Sequence, residues 1–403
     1  MSLNRMLANN FLTAYIGYKL RALLIRIKMN RYVNNPLVRN SILFNNFNGK
    51  GFGDNPRAIA EKLHEMKPDY QLFWACASDI AYESLPSYVT PVEYMSDAYY
   101  RIMSTSSVWV FNNNVPDGTI KKKGQLYIQT WHGDRGFKKY GYDAMNNERY
   151  NKTKKGRKLI ENEICDYCLT GSIFGERTFS SAFRYNGKFL KYGMPKNDCL
   201  FNCDKQKMAH IKKELRVGDD KFILLYAPTL RDHLNNLNKV TSDLDVPYTL
   251  DLLEKKTGNK WICFIRSHSG TKLDIKTRQD NRVIDVTKYH DMADLLMIAN
   301  ILISDYSSST SDFVITGRPV ILYQDDYDEF QKNDREFYFD MNDSHYRIAH
   351  NKDELSHIIE EINIENDDER DKEILAFYQT YETGRASEIV SQVIIQNENN
   401  NPC

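Results

Sequence analysis

From about residue 40 the chain alternates short apolar runs with helical stretches. SILFNNF (41–47), QLFWACA (71–77), SVWVFNN (107–113), LYIQTW (126–131) and DYCLTG (166–171) read as strands, each followed by loop or helix signals. The stretch NPRAIAEKLHEM (55–66) reads as a helix opened by Asn55-Pro56, since proline's fixed φ and missing N–H suit a first helical turn. After a helical segment KMAHIKKELRV (207–217), a second series follows: FILLYAP (222–228), WICFIRS (261–267), RVIDV (282–286), ILISDY (301–306) and VILYQ (320–324). Strands alternating with helices predict parallel sheets. Two such series predict an α/β protein of two doubly wound domains facing a central cleft. Helices are expected near 352–361 and 370–395, ahead of the polar tail NENNNPC.

Residues 8–31 follow a different rule. Leu12, Ile16, Leu20, Leu23, Leu24 and Ile27 can share one broad helical face, with Lys19 and Arg26 toward one border and Arg21 and Lys28 toward the other. No acidic residue precedes Asp54, whereas Arg5, Lys19, Arg21, Arg26, Lys28, Arg31, Arg39 and Lys50 do. Such a basic amphipathic helix fits shallow insertion among anionic headgroups; the alternative is a helix docked on the protein's own first domain. The expected division is therefore a membrane-surface helix over 1–35, α/β domains over 36–204 and 205–372, and a C-terminal helix with its tail over 373–403.

Composition narrows the picture only modestly. A chain of 403 residues with 41% hydrophobic and 27% charged residues suits two globular cores. Lys+Arg and Asp+Glu are 54 each, and nothing points to a nucleic-acid partner. Seven cysteines without a visible secretory signal argue against a disulfide framework. Cys165-x-x-Cys168 and Cys199-x-x-x-Cys203 have a superficial zinc spacing, but their settings favour buried or surface thiols. No apolar run approaches the ~20 residues of a spanning helix. P-loop and dinucleotide glycine fingerprints are absent.

In parallel sheets, ligands bind beyond the carboxyl ends of the strands, so polar residues there carry the candidate chemistry. After LYIQTW come His132, Gly133 and Gly136, then Lys138 and Lys139. Glycines admit a phosphate close to the backbone, and a histidine there can take a proton from a hydroxyl. A lone strand-end histidine is otherwise structural; the glycines and the basic flank favour catalysis. The turn MPKNDCLF holds Lys196, and Pro228-Thr229 follow the first strand of the second series. Arg266-Ser267-His268 after WICFI offer charge-assisted donors for a pyrophosphate, against the alternative of a solvated loop. Asp305-Tyr306 lead into five hydroxyl residues, 307–311, and Asp312. That turn reads as an anion site, with plain N-capping as the alternative. DDYDEF (325–330) is read as a helix cap in preference to a metal site, so no divalent metal and no cofactor is expected.

In order and spacing, GKGFGDNPRAI, QTWHGDRGFKKYGYD, DYCLTGS, YGMPKNDCLF, YAPTLRD, RSH, SDYSSSTSDFVITGRPVILYQDDYDEF and REFYFD resemble the CDP-glycerol glycerophosphotransferase family of teichoic-acid primases and polymerases. The likeness covers most of residues 40–340. It implies the two-domain GT-B architecture and attack of an acceptor hydroxyl on the β-phosphorus of CDP-glycerol, with CMP leaving. It implies that His132 is the base, within the donor-binding run His132, Gly133, Asp134, Arg135 and Gly136. By the same resemblance Arg266 and His268 hold the pyrophosphate, with His268 also catalytic, together with Ser267 and the turn of Ser304, Asp305, Tyr306, Ser307, Ser308 and Ser309. Lys196, Pro228 and Thr229 line the cytidine or phosphate pocket, and Asp312 is a further addition. The implied acceptor is a lipid-linked or polymeric envelope polyol phosphate or saccharide, met at the cytoplasmic face of the membrane by a peripheral enzyme of teichoic-acid or capsule synthesis. The chain departs from the pattern at Asp134-Arg135, where many relatives have Thr-Pro, at Lys196, where Arg is usual, and in its longer serine run. Its length is closer to primases and capsule-type transferases than to many polymerases. Rival readings are a nucleotide-sugar GT-B glycosyltransferase, a CDP-ribitol enzyme and a non-catalytic membrane scaffold.

Overall fold

The computed structural model describes residues 11–144, 161–229, 243–267, 280–333 and 335–400. The chain divides into two compact units. The first comprises the N-terminal region to Asp134, then Tyr140–Asp198, and the segment from Tyr381 onward; the second comprises Arg135–Lys139 and Cys199–Thr380. This differs from a simple cut near residue 204. The backbone passes into the second unit for five residues directly after Asp134, and the last helix returns to the first unit.

The first unit holds strands β1 (Val38–Asn45), β2 (Gln71–Cys76), β3 (Val89–Glu93), β4 (Ser106–Phe111), β5 (Leu126–Gln129), β6 (Tyr167–Thr170) and β7 (Lys188–Lys191). They pair in the order β3-β2-β1-β4-β5-β6-β7, all parallel. Leu43 of β1 lies level with Phe73 and Trp109 in its two neighbours, so bulky side chains stack across the central strands. Every residue of β4 is buried, as a parallel strand covered on both faces requires. One face carries the helix Asp54–Met66, whose Ile59, Ala60 and Leu63 pack with Val390 and Ile394 of the helix Ala386–Asn400.

The helix Phe11–Asn30 sits on the other face of the same unit. Its Ile25 and Met29 join Tyr99, Tyr100, Trp109 and Tyr127 in one buried cluster. Gly118, at φ +93°, lies under Ala22, where an added Cβ would stand 2.0 Å from the Ala22 carbonyl oxygen. The expected apolar face is not the docked one. Ile16, Leu20, Leu23, Leu24 and Ile27 are all exposed, Leu24 by 59%. The side chain of Leu12 lies outside the described residues. Among the described residues, no helix is long and apolar enough to cross a membrane.

The second unit holds β8 (Lys221–Ala227), β9 (Lys260–Ile265), β10 (Val283–Asp285), β11 (Ile301–Ser304), β12 (Val320–Tyr323) and β13 (Arg347–Ala349), in the order β10-β9-β8-β11-β12-β13, again all parallel. Its core gathers Leu224, Trp261, Ile303, Ile321 and Leu355. Both sheets therefore start in the middle, wind outward and then reverse. The reversal falls between β1 and β4 in the first sheet and between β8 and β11 in the second. Beyond the carboxyl ends at such a reversal, the connections diverge and leave a crevice for ligand.

Candidate active site

In the first unit the crevice edge is formed by the ends of β1, β4 and β5. After β5, Gln129 Oε1 accepts from Trp131 N at 2.9 Å, and Thr130 N donates to the Phe111 carbonyl at 2.8 Å. This turns the chain so that His132 stands over the end of β4. His132 Nδ1 lies 3.0 Å from the Asn112 carbonyl oxygen. A carbonyl can only accept, so Nδ1 carries the hydrogen and the lone pair resides on Nε2. The ring is half-buried, with Trp131 stacked at 4.3 Å and Phe47 tilted at 5.0 Å between centroids. Burial pulls its pKa down to about 4, the bond to Asn112 opposes that, and the charge of Lys196 adds to the lowering. The imidazole is neutral near pH 7, the form a general base needs.

Lys196 sits in the short turn Pro195–Asn197, held from beneath by Glu382: Met194 N and Asn197 Nδ2 donate to its carboxylate at 3.1 and 2.8 Å. Asp134, expected to contact the donor, is turned inward. Its Oδ2 accepts from Gly171 N at 2.8 Å and Ser172 Oγ at 2.7 Å, stapling the loop to the end of β6. Gly133 is half-buried between these residues.

In the second unit, the segment Arg135–Lys139 runs antiparallel to residues 336–338. Lys138 and Phe337 form a bridge, Lys139 N donates to the Glu336 carbonyl at 2.8 Å, and Tyr338 N donates to the Phe137 carbonyl at 2.9 Å. Arg135 is fully buried and pairs with buried Asp312 at 3.1 Å, so both expected donor ligands are engaged within the protein. Gly136 lies against Ser308: a Cβ added to it would stand 3.8 Å from the serine Cβ.

The ends of β9, β8 and β11, adjacent in the sheet, bring Arg266, Thr229 and the serine turn to one edge. Asp305 accepts from Thr229 N with both oxygens, at 2.9 and 3.1 Å, tying the β8 loop to the β11 loop. Ser304 Oγ donates to the Ala227 carbonyl, and Tyr306 is a core residue stacked on Phe330 with its hydroxyl on Asp326. These three build the edge from behind. Ser307 and Ser308 are the half-exposed members of the turn, while 309–312 are buried. Arg266 is half-buried, with its N–H on the Tyr226 carbonyl, and buried Ser267 pairs with Thr287 Oγ1 at 3.1 Å. Pro228 leads from β8 into Thr229. His268 lies outside the described residues, as do Arg231, Asp232 and His233. Asp325 accepts from Asp243 N at 2.7 Å, and Cys168 is buried within β6.

The CDP-glycerol:poly(glycerophosphate) glycerophosphotransferase family model matches residues 27–396. This chain belongs to that family. It is 30% identical over 370 residues to the teichoic acid glycerol-phosphate transferase of Staphylococcus aureus, covering 89% of this chain and 93% of that protein. It is 32% identical to the teichoic acid poly(glycerol phosphate) polymerase of Bacillus spizizenii, covering 80% and 84%. Against the Bacillus subtilis polymerase, 30% identity covers 76% of this chain but only 41% of the longer protein. A solved structure of the wall teichoic acid polymerase TagF superposes with a TM-score of 0.79 at 27% identity, covering 96% of this chain and 98% of that one. The GT-B-like pair of parallel-sheet units is thus shared with that polymerase.

The residues that motif reading overlooked are the asparagines around His132. Asn112 donates from Nδ2 to Asn46 Oδ1 at 2.7 Å and accepts at Oδ1 from Phe47 N at 2.8 Å. Asn55 donates to the Trp131 carbonyl at 3.0 Å and accepts from Lys196 N at 3.1 Å. Phe47 and Trp131, both touching His132, hold φ of 44° and 50°. Bulky residues adopt that left-handed backbone only where their surroundings impose it, and such sites gather at functional centres. A usable signal lay in GKGFGDN, whose three glycines lead into Asp54 and Asn55.

Proposed function

We propose that this glycerophosphotransferase moves glycerol phosphate from CDP-glycerol to a hydroxyl of a lipid-linked or polymeric cell-envelope acceptor of teichoic-acid or capsule type. His132 Nε2 takes the hydroxyl proton as the oxygen bonds to the β-phosphorus. The bond from that phosphorus to the CMP oxygen breaks, and CMP leaves with the electron pair. The observation that carries this reading is the fixed tautomer: Nδ1 is committed to the Asn112 carbonyl, so Nε2 is the basic nitrogen at the strand edge. Gly133 and Lys196 of the first unit and Arg266, Thr229, Gly136, Ser307 and Ser308 of the second supply N–H, hydroxyl and cationic groups for the phosphates, and the family resemblance adds His268 to that role. Charge in phosphoryl transfer spreads over several oxygens, so positioning and such donors account for most of the catalysis.

The enzyme works as a peripheral protein on the cytoplasmic face of the membrane. Ile25 and Met29 dock the first helix, and Ile16, Leu20, Leu23, Leu24 and Ile27 remain outward beside Lys19, Arg21, Arg26 and Lys28. An exposed apolar stripe flanked by these four cations suits an anionic lipid surface. Nucleotide release tests the donor, read as CMP from CDP-glycerol or CDP-ribitol and as UDP from UDP-sugars. Preference for CDP-glycerol supports the proposal, and turnover of a UDP-sugar alone sinks it.

A further inference from the structure

We propose that Asn55 is a positioning residue for the transfer, a buried brace that fixes the loop bearing His132 against the turn bearing Lys196. It rests on His132 as the base. Asn55 is fully buried near the start of the helix Asp54–Met66. Its Nδ2 donates to the carbonyls of Trp131 at 3.0 Å and Thr130 at 3.4 Å, and its Oδ1 accepts from Lys196 N at 3.1 Å. Both amide hydrogens and the carbonyl are therefore spent on backbone, and on two separate loops. One loop carries the base and the other carries a cation whose field acts on that base.

The brace acts where the backbone most needs holding. Trp131, whose carbonyl Asn55 grips, precedes His132 and sits at φ 50°. Asn112 completes the frame from the end of the neighbouring strand β4, its carbonyl on His132 Nδ1 and its side chain on the Phe47 amide. Asp54 joins the two asparagines, accepting from Asn55 N at 2.8 Å and Asn112 Nδ2 at 3.2 Å. The charged groups of this frame are thus Lys196 on the turn and Asp54 on the helix start. A serine at position 55 is too short to reach both loops. An aspartate keeps the shape but replaces the donor with an oxygen facing two carbonyls.

The test uses the full chain and CMP release from CDP-glycerol for wild type, Asn55→Asp, Asn55→Ser, Lys196→Ala, Asn55→Ser/Lys196→Ala and His132→Ala, with melting curves for each. Misplacing a base by about 1 Å costs on the order of a hundredfold, so kcat should fall roughly 10- to 100-fold in both Asn55 variants. The acid limb of the kcat profile should move up toward ~6.5 as water reaches the ring. Lys196→Ala should cost several-fold less in the Asn55→Ser background than in wild type, because contacting groups couple. If His132→Ala keeps activity, the base reading fails, and this proposal with it. If His132→Ala is inactive while folded Asn55 variants keep kcat within about threefold, an unmoved pH profile and additive effects, this proposal alone is overturned. Loss of fold in both Asn55 variants also overturns it, since the residue then serves stability only.

Discussion

Asp134 and Arg135 show how little a residue's neighbours in sequence fix its role. The resemblance placed both in a donor-binding run, yet Asp134 faces Gly171 and Ser172, and Arg135 is buried against Asp312. The departure from Thr-Pro is taken up by internal contacts. Removing one partner of a buried ion pair strands the other, so Arg135→Ala and Asp312→Ala should each destabilise by ~3–5 kcal/mol, and the double variant by less than the sum. Denaturant melts of the three chains check this. His132 was legible as a candidate because glycines and lysines follow it; Asn55 and Asn112 were not, since a lone asparagine after a strand or before a proline is commonplace in turns. His132 also sets a pH dependence. Burial holds its folded pKa at about 4, below the ordinary histidine value of 6.5, so between those values the unfolded chain binds the extra proton. The associated stability is complete above pH ~6.5 and is lost as pH falls toward 4, with stability rising with pH in that window. His132→Asn should flatten part of that slope. In the same range kcat/KM of the free enzyme should hold nearly level down past pH 6, against the fall an unperturbed histidine would give.

Among elements, the first helix presents two apolar faces, one docked and one exposed. The sequence reading set membrane contact against docking, but Ile25 and Met29 dock while the wider apolar face stays outward. Charge substitution separates them. Leu20→Asp with Leu24→Asp should weaken co-sedimentation with anionic vesicles and leave melting nearly unchanged, whereas Ile25→Asp should lower the melting temperature. Each basic side chain near an anionic surface contributes about 1 kcal/mol, so binding should also fall with salt. Unchanged sedimentation of the Leu20/Leu24 variant would leave the helix a structural element alone. Strands divide the same way by environment. The central ones were readable as apolar runs, while VTPVE, KFLK and RIA were not, because β3, β7 and β13 are edge strands with fewer neighbours to satisfy. A strand paired on one side needs less apolar surface and tolerates Lys188, Lys191 and Arg347.

At the scale of the molecule, the alternation of strands and helices disclosed two parallel sheets but not how the chain is shared between units. Nothing local in ASEIVSQVIIQNENN says that it packs on the helix Asp54–Met66, more than 300 residues earlier. Val390 and Ile394 are nonetheless fully buried there, and Asp198 accepts from the N–H groups of Ala386 and Ser387 at 3.0 and 2.7 Å. Ile394→Ala should cost the first unit ~2–5 kcal/mol, seen as a lower denaturation midpoint. The excursion of Arg135–Lys139 into the second unit was equally hidden, because its partners at 336–338 are distant in sequence. What the two sheets share is a reversal point with chemistry at the strand ends, and His132 is the group on which the account turns. The most direct test is CMP release from CDP-glycerol by purified His132→Ala in the presence of acceptor. Loss of the base predicts turnover lowered by about a hundredfold or more, with melting preserved. Near-normal CMP release from the folded variant would contradict the account.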